Sequence, residues 1–174
     1  MLEAVTAEFA RYGIIGARVD RIAEAAGCNK AMIYAYYASK DQLFDAVFDA
    51  LIVRNMHDVP VDVHDLPEYA ARLFDQYRKY PEVLRIGIWD RLERDAAGMK
   101  IKAVLEANEY KVNAISKAQQ AGHIRTHFPA AVLLELILAL TQTHSNLEEG
   151  SSGDLGHAKR RQTIKDAVSA LLRH

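Results

Sequence analysis

Cysteine is nearly absent: Cys28 is the only one in 174 residues. That excludes a disulfide framework and a cysteine-based zinc site, and a reducing, cytoplasmic setting is expected. Proline (four) and glycine (nine) are too scarce for a low-complexity chain, and only Glu148 to Gly156 has a disorder-like composition. Neither sign of charge dominates: 22 Lys/Arg stand against 23 Asp/Glu, so bulk charge announces no polyanionic partner. No apolar run is long enough to span a bilayer; the richest, Ala130 to Leu140, is short and contains Glu135. No signal peptide is visible, so no membrane partner is expected. Catalytic signatures are missing as well. There is no nucleophile elbow, phosphate loop or recognisable carboxylate pair, so neither an enzyme nor a cofactor is expected. His123/His127 and His57/His64 lack companion cysteines or clustered carboxylates, and no metal site is assigned.

What the chain does contain is helical periodicity from end to end, with half its residues hydrophobic, enough for a real core. The most informative stretch is Val19 to Lys40. Ile22, Ala23 and Ala26 give its first half a small, apolar face, and Ala23 allows close helix crossing. Gly27 stands where a left-handed residue ends a helix, and Asn29 has the chemistry of an N-cap for the next. Ile33 and Tyr37, four apart, are expected inward, leaving Lys30, Ala31, Tyr34 and Ala35 outward. A short helix with a dry back and such a face suits a major groove. Residues 1–54 hold six Lys/Arg and seven Asp/Glu, so this segment is not basic overall. Its cations Arg18, Arg21, Lys30 and Lys40 nevertheless sit at ends and turns.

Around this unit, Leu2, Val5, Phe9 and Tyr12 stripe a first helix ending at Gly13. Ser39 and Gln42 have capping-box spacing for a fourth helix running to about Arg54. Met56 to Leu66 reads as a linker. Beyond it come a helix with Tyr69, Leu73 and Tyr77; one opened by Pro81 and striped by Leu84, Ile88 and Leu92; and a long one with Ile101, Leu105, Asn108, Val112, Ile115 and Ala118. An apolar helix from Pro129 to about Asn146 and a last one over Lys159 to Leu172 complete the count. The expectation is an all-α, nine-helix protein with two domains, 1–54 and 55–174.

The run Phe9, Gly13, Ile22-Ala23, Ala26-Gly27, Ile33-Tyr34, Tyr37, Ser39-Lys40 and Leu43 resembles, in order and spacing, the N-terminal signature of the TetR family of bacterial transcriptional repressors. The likeness covers about the first quarter of the chain. Tyr80 to Arg85 and Trp89 to Glu93 are similar to one C-terminal subgroup. The resemblance implies a TetR-like architecture, with an N-terminal helix-turn-helix and a C-terminal helical bundle. It implies that Tyr34 and Lys40 clamp phosphates, that Lys30, Ala31 and Met32 approach bases or phosphates, and that Tyr36 lies at the backbone. Arg18 replaces the Ser or Thr that often caps the second helix. The basic arm of many members is not expected, because Met1-Leu2 falls almost at the first helix. Asn29 and Ala35 complete the expected DNA-binding set.

The expected partners are double-stranded DNA with a palindromic operator, a second copy of the chain, and a small-molecule effector of unknown identity. Tyr69, Phe74, Tyr77, Arg85, Trp89, Tyr110, Asn113 and His144 combine aromatic bodies with a few polar groups, as pockets do, and some of them are expected to line one. Leu133, Ile137, Leu140, Ile164, Val168 and Leu171 are expected at a four-helix dimer interface. The competing reading is a helical ligand-binding or interaction protein without DNA binding.

Overall fold

The computed structural model describes residues 1–142 and 154–173. Among the described residues there are nine α-helices, a single 3₁₀ turn and no strand. The helices are α1 (Leu2–Gly16), α2 (Val19–Ala26), α3 (Lys30–Tyr36), α4 (Lys40–Asp58), α5 (Leu66–Lys79), α6 (Pro81–Glu93), α7 (Lys102–Gln120), α8 (Ala130–Thr141) and α9 (Asp154–Arg173). The 3₁₀ turn, Ala97–Lys100, separates α6 from α7. α4 runs past the expected end to Asp58, so the linker shrinks to residues 59–65. α9 begins five residues before Lys159. The stretch from residue 143 to Asn146, expected to end α8, lies outside the described residues.

Two compact units form, one from Met1–Arg54 with Tyr80–Ala107, the other from Asn55–Lys79 with Asn108–His174. A division by chain position at residue 54 therefore differs from the packing: residues 80–107 fold onto the first segment. The physical cause is long-range capping. α1 kinks at Gly13 (φ 70°, ψ −176°), a conformation open in practice only to glycine. The kink frees the N–H groups of Ile14 and Ile15, which donate to Glu93 Oε2 of α6 at 2.6 and 3.0 Å. Beside them, Trp89 Nε1 donates to Ala10 O at 3.3 Å.

The end of α6 is tied to α4 in the same manner. Arg94 pairs with Asp45 at 2.8 Å and lies over the Phe44 ring. Asp90, wholly buried, accepts from Gly98 N at 2.8 Å. The buried face of α6 is accordingly Val83, Ile86 and Asp90, while Ile88 and Leu92 of the expected stripe are exposed. α7 is shifted likewise: Val104, Ala107, Lys111, Ile115 and Ala118 are buried, and Leu105 is exposed.

The core of the first unit is Val5, Phe9, Ile22, Ile33, Leu43, Phe44, Val47, Phe48 and Leu51, with Phe9 edge-on to Phe44 at 5.3 Å. Each large side chain buried this completely contributes about 1.5–3 kcal/mol. In the second unit α5 packs on α8 and α9 through Leu66, Tyr69, Leu73, Leu133, Leu134, Ile137, Ile164 and Val168. A polar strap runs along the α5–α9 seam. Arg161 bonds Glu68 and Asp75, Lys165 bonds Glu68 at 2.8 Å, and His157 meets Asp75 at 3.0 Å. Lys165 first, then Arg161, hold the Glu68 carboxyl below its usual range.

Candidate nucleic-acid interface

The turn between α2 and α3 is built by local chemistry. Gly27 adopts φ 65°, ψ 32°; its N–H reaches Glu24 O, and Cys28 N–H reaches Ala23 O, the paired bonds of a Schellman ending. Asn29 then caps α3, its Oδ1 accepting from Met32 N at 2.7 Å. At the start of α4, Ser39 Oγ accepts from Gln42 N at 3.1 Å, while Gln42 Oε1 accepts from Ala38 N at 3.0 Å, one residue ahead of the usual box. With both of its ends fixed, α3 needs only seven residues to hold its shape.

Behind α3, Ile33 is 1% exposed; in front, Lys30, Ala31, Met32, Tyr34, Ala35 and Tyr36 are all exposed. Tyr37, expected inward, is half-buried. Asn29 is exposed too, its side chain engaged in the cap. The outward face thus offers one ammonium, two phenols, a thioether and two methyl groups.

Two of the three cations of the expected set, Lys30 and Lys40, are held by the fold. Lys30 Nζ lies 3.0 Å from Asp20 of α2, both exposed, and this hydrogen bond raises the lysine's pKa. Lys40, half-buried, donates to Ile15 O at 2.9 Å and Ala17 O at 3.2 Å, which leaves one of its three N–H groups for another acceptor. It therefore pins the loop leading into α2. Arg18 is exposed and makes no side-chain cap; its own backbone N–H and the Arg21 side chain are taken up by Glu8 of α1. Glu8 Oε1 accepts from Arg18 N at 2.9 Å and Arg21 Nε at 2.8 Å. Burial pushes the Glu8 carboxyl up, but the bonds from Arg21 and from the Arg18 backbone outweigh it, and the group titrates below its usual range. Arg21 in turn lies over the Tyr12 ring at 4.2 Å. Asp20 and Glu8 escaped the sequence reading. Asp20 lies ten residues before Lys30, and Glu8 thirteen before Arg21, beyond any helical repeat.

The expected pocket residues divide between the two units. Arg85 is exposed and Trp89 clasps α1, both in the first unit. In the second unit Tyr69 and Tyr77 share the buried face of α5, and Phe74 stacks on His157 at 5.2 Å. Tyr110 and Asn113 are exposed on α7, because the register of that helix turns Lys111 inward instead. His144 lies outside the described residues. Of the expected dimer residues, Leu133, Ile137, Ile164 and Val168 are buried in the chain's own core, where α5 covers them; Leu140 and Leu171 retain partial exposure. Among the described residues no group of three or more His, Cys, Asp or Glu could hold a metal, and no helix is long and apolar enough to cross a membrane.

A short recognition helix, capped at its start, dry behind and exposed in front, set after a left-handed turn and behind a tightly crossed α2, defines a helix-turn-helix DNA-binding protein. Family comparison carries this further. Residues 1–47 match the model described as bacterial regulatory proteins, tetR family, and residues 65–170 match the tetracyclin repressor-like C-terminal domain. The HTH-type transcriptional repressor SCO4008 of Streptomyces coelicolor is 37% identical over 182 aligned positions, covering 99% of this chain and 93% of that protein. The solved structure of SCO4942 from Streptomyces coelicolor has a TM-score of 0.85 at 30% identity, covering 99% of this chain and 96% of that one. A fold likeness extends to AibR, solved in complex with isovaleryl coenzyme A and operator DNA, with a TM-score of 0.68 at 17% identity over 96% and 95% of the two chains. The chain belongs to the TetR family: it is a helix-turn-helix, DNA-binding transcriptional repressor, in a family of regulators rather than enzymes.

Proposed function

We propose that the protein acts in the cytoplasm as a homodimer. Its two α3 helices would enter successive major grooves of a near-palindromic operator, with half-sites about one turn, roughly 34 Å, apart. The observation that carries this reading is the exposed face of α3. Tyr34, Tyr36, Lys40 and Arg18 are assigned to phosphates, where they set position without reading sequence. Lys30 is assigned to a phosphate or a base edge, and Ala31, Met32 and Ala35 to apolar contact with thymine methyls. With so few hydrogen-bonding groups on α3, DNA shape supplies much of the remaining specificity.

The dimer is assigned to α8 and α9, on faces other than the one α5 covers. α8 is apolar almost all round: its outer side presents Val132, Leu136, Ala139 and Leu140 with Glu135 as the only charge. A helix of that composition is expected to be covered on both sides. An effector bound in the C-terminal part would favour a dimer state whose recognition helices are wrongly spaced. Its effect is limited to its differential affinity for the two states. α6 is assigned to that coupling because it grips the kink of α1 through Glu93 and Trp89.

Selection of bound duplexes from a random pool tests this reading. Inverted repeats one turn apart are expected, with guanine near Lys30 and thymines near Ala31 and Ala35. Recovery of isolated, non-repeated sites, or a light-scattering mass of one chain at micromolar concentration, would overturn the dimeric reading.

A further inference from the structure

One cation of the second unit stands apart from the rest. The buried positions of α7 step by three and four through Val104, Ala107, Lys111, Ile115 and Ala118, and Lys111 occupies the middle of that apolar stripe, only 7% exposed. The other cations that the fold draws inward are partnered: Arg161 with Glu68 and Asp75, Lys165 with Glu68, Arg94 with Asp45, and Arg21 with Glu8. Lys111 has no hydrogen bond or ion pair to any described residue, and burial alone acts on its ammonium, pushing its pKa down. A buried ammonium without a counter-charge destabilises a fold, and a methionine of similar length would fill the same place without that cost. A group of this kind in an effector-responsive unit is a binding-site candidate on physical grounds.

A second unmet donor lies in the same unit. Tyr69 of α5 is 1% exposed, and its hydroxyl has no hydrogen-bond partner. Burial, with a smaller contribution from Tyr77, pushes the phenol well above its ordinary value, so it stays protonated and able to donate.

We infer that Lys111 is the anion-recognising residue of the effector site, and that the effector class is an organic acid with an apolar body. The anionic head pairs with the Lys111 ammonium and the body lies against the apolar side chains of the second unit, such as Ile115. This rests on the effector-responsive reading above and narrows it: neutral and cationic molecules of the same shape are rejected, because each leaves the buried ammonium unpaired or repelled.

The test uses the full chain and three probes with one apolar body and different heads: octanoate, octanol and octylammonium, followed by isothermal titration and thermal melting. Octanoate is expected to bind and raise the melting temperature, with at least tenfold preference over the other two. Lys111→Met should lose at least tenfold in octanoate affinity while melting above the parent, which also shows that it folds. Lys111→Arg should stay within about threefold, since the guanidinium keeps the charge. No octanoate binding, equal binding of octylammonium, or undiminished affinity in Lys111→Met would overturn the inference. Operator release, followed on the same samples, separates the two levels. Octanoate bound through Lys111 without release counts against the effector reading alone. Release by another compound that is unchanged in Lys111→Met counts against the role of Lys111 alone.

Discussion

Replacing Glu93 by alanine removes the acceptor that satisfies the α1 kink. Two N–H groups lose a charged partner: that of Ile14, part-buried at 2.6 Å, and that of Ile15, exposed at 3.0 Å. A hydrogen bond to a charged group contributes about 1.5–3 kcal/mol, and water recovers most of the exposed one, so the loss should be about 2–4 kcal/mol. The reporter is built in. Trp89 is the only tryptophan of the chain, and it donates to Ala10 O beside the kink. Urea unfolding followed by its fluorescence should show the midpoint falling by about 1–2 M, for a slope of about 2 kcal/mol/M. Glu93→Gln keeps an acceptor without the charge and should lose roughly half as much. A midpoint within about 0.3 M of the parent in Glu93→Ala would mean that the kink is held by something other than this carboxylate.

Three further changes probe other joints. Asp20→Asn removes an acid from the face proposed to read DNA and releases Lys30 from its 3.0 Å bond; duplex affinity at 0.1 M salt should rise roughly three- to tenfold with a steeper salt slope, and unchanged anisotropy titrations would dismiss the pair as a restraint. The Glu8 and Glu68 carboxyls are both held below the ordinary glutamate range in the fold, by Arg21 and by Lys165 with Arg161. Each therefore contributes stability that is fully present above the unfolded value and lost as pH falls through the lower folded one. Melting curves of Glu8→Gln and Glu68→Gln should show lower stability than the parent at pH 7 and a shallower decline below about pH 4.5; an acid limb as steep as the parent's would contradict the assignment. Ala96 sits in the left-handed region (φ 59°) with no glycine to relieve it. Ala96→Gly should stabilise by about 0.5–1 kcal/mol in urea unfolding, and a destabilised variant would refute the strain.

The parts of the fold set by neighbours in sequence were legible before any coordinates. Gly27 announced a left-handed turn, and Asn29 and Ser39 announced caps, because each acts on backbone groups within five residues; Ile33 announced the dry side of α3 as the large aliphatic residue of that short helix. What stayed hidden acts at long range. Glu93 caps a kink 79 residues earlier, Asp90 anchors a turn from a fully buried position, and Arg161 bonds Glu68 from 93 residues away. Nothing in a hydrophobic pattern marks a carboxylate as inward, so the stripe read on α6 ran along its exposed side. α7 misled for the same reason, since a lysine at its core register looks like solvent-facing charge. The outward face of α3 needed only an order and spacing of residues. Aromatic content does not say which face of a helix is covered: Tyr69 and Tyr77 lie inward on α5, while Tyr110 faces out from α7.

On the proposed reading, the exposed face of α3 contacts DNA. The most direct measurement is the salt dependence of affinity for the selected operator, compared among the parent, Lys30→Ala and Tyr34→Phe. Weaker binding is expected in both variants, with the slope of log affinity against log salt reduced by about one in Lys30→Ala. Parent-like affinity and slope for both variants on every duplex would contradict it.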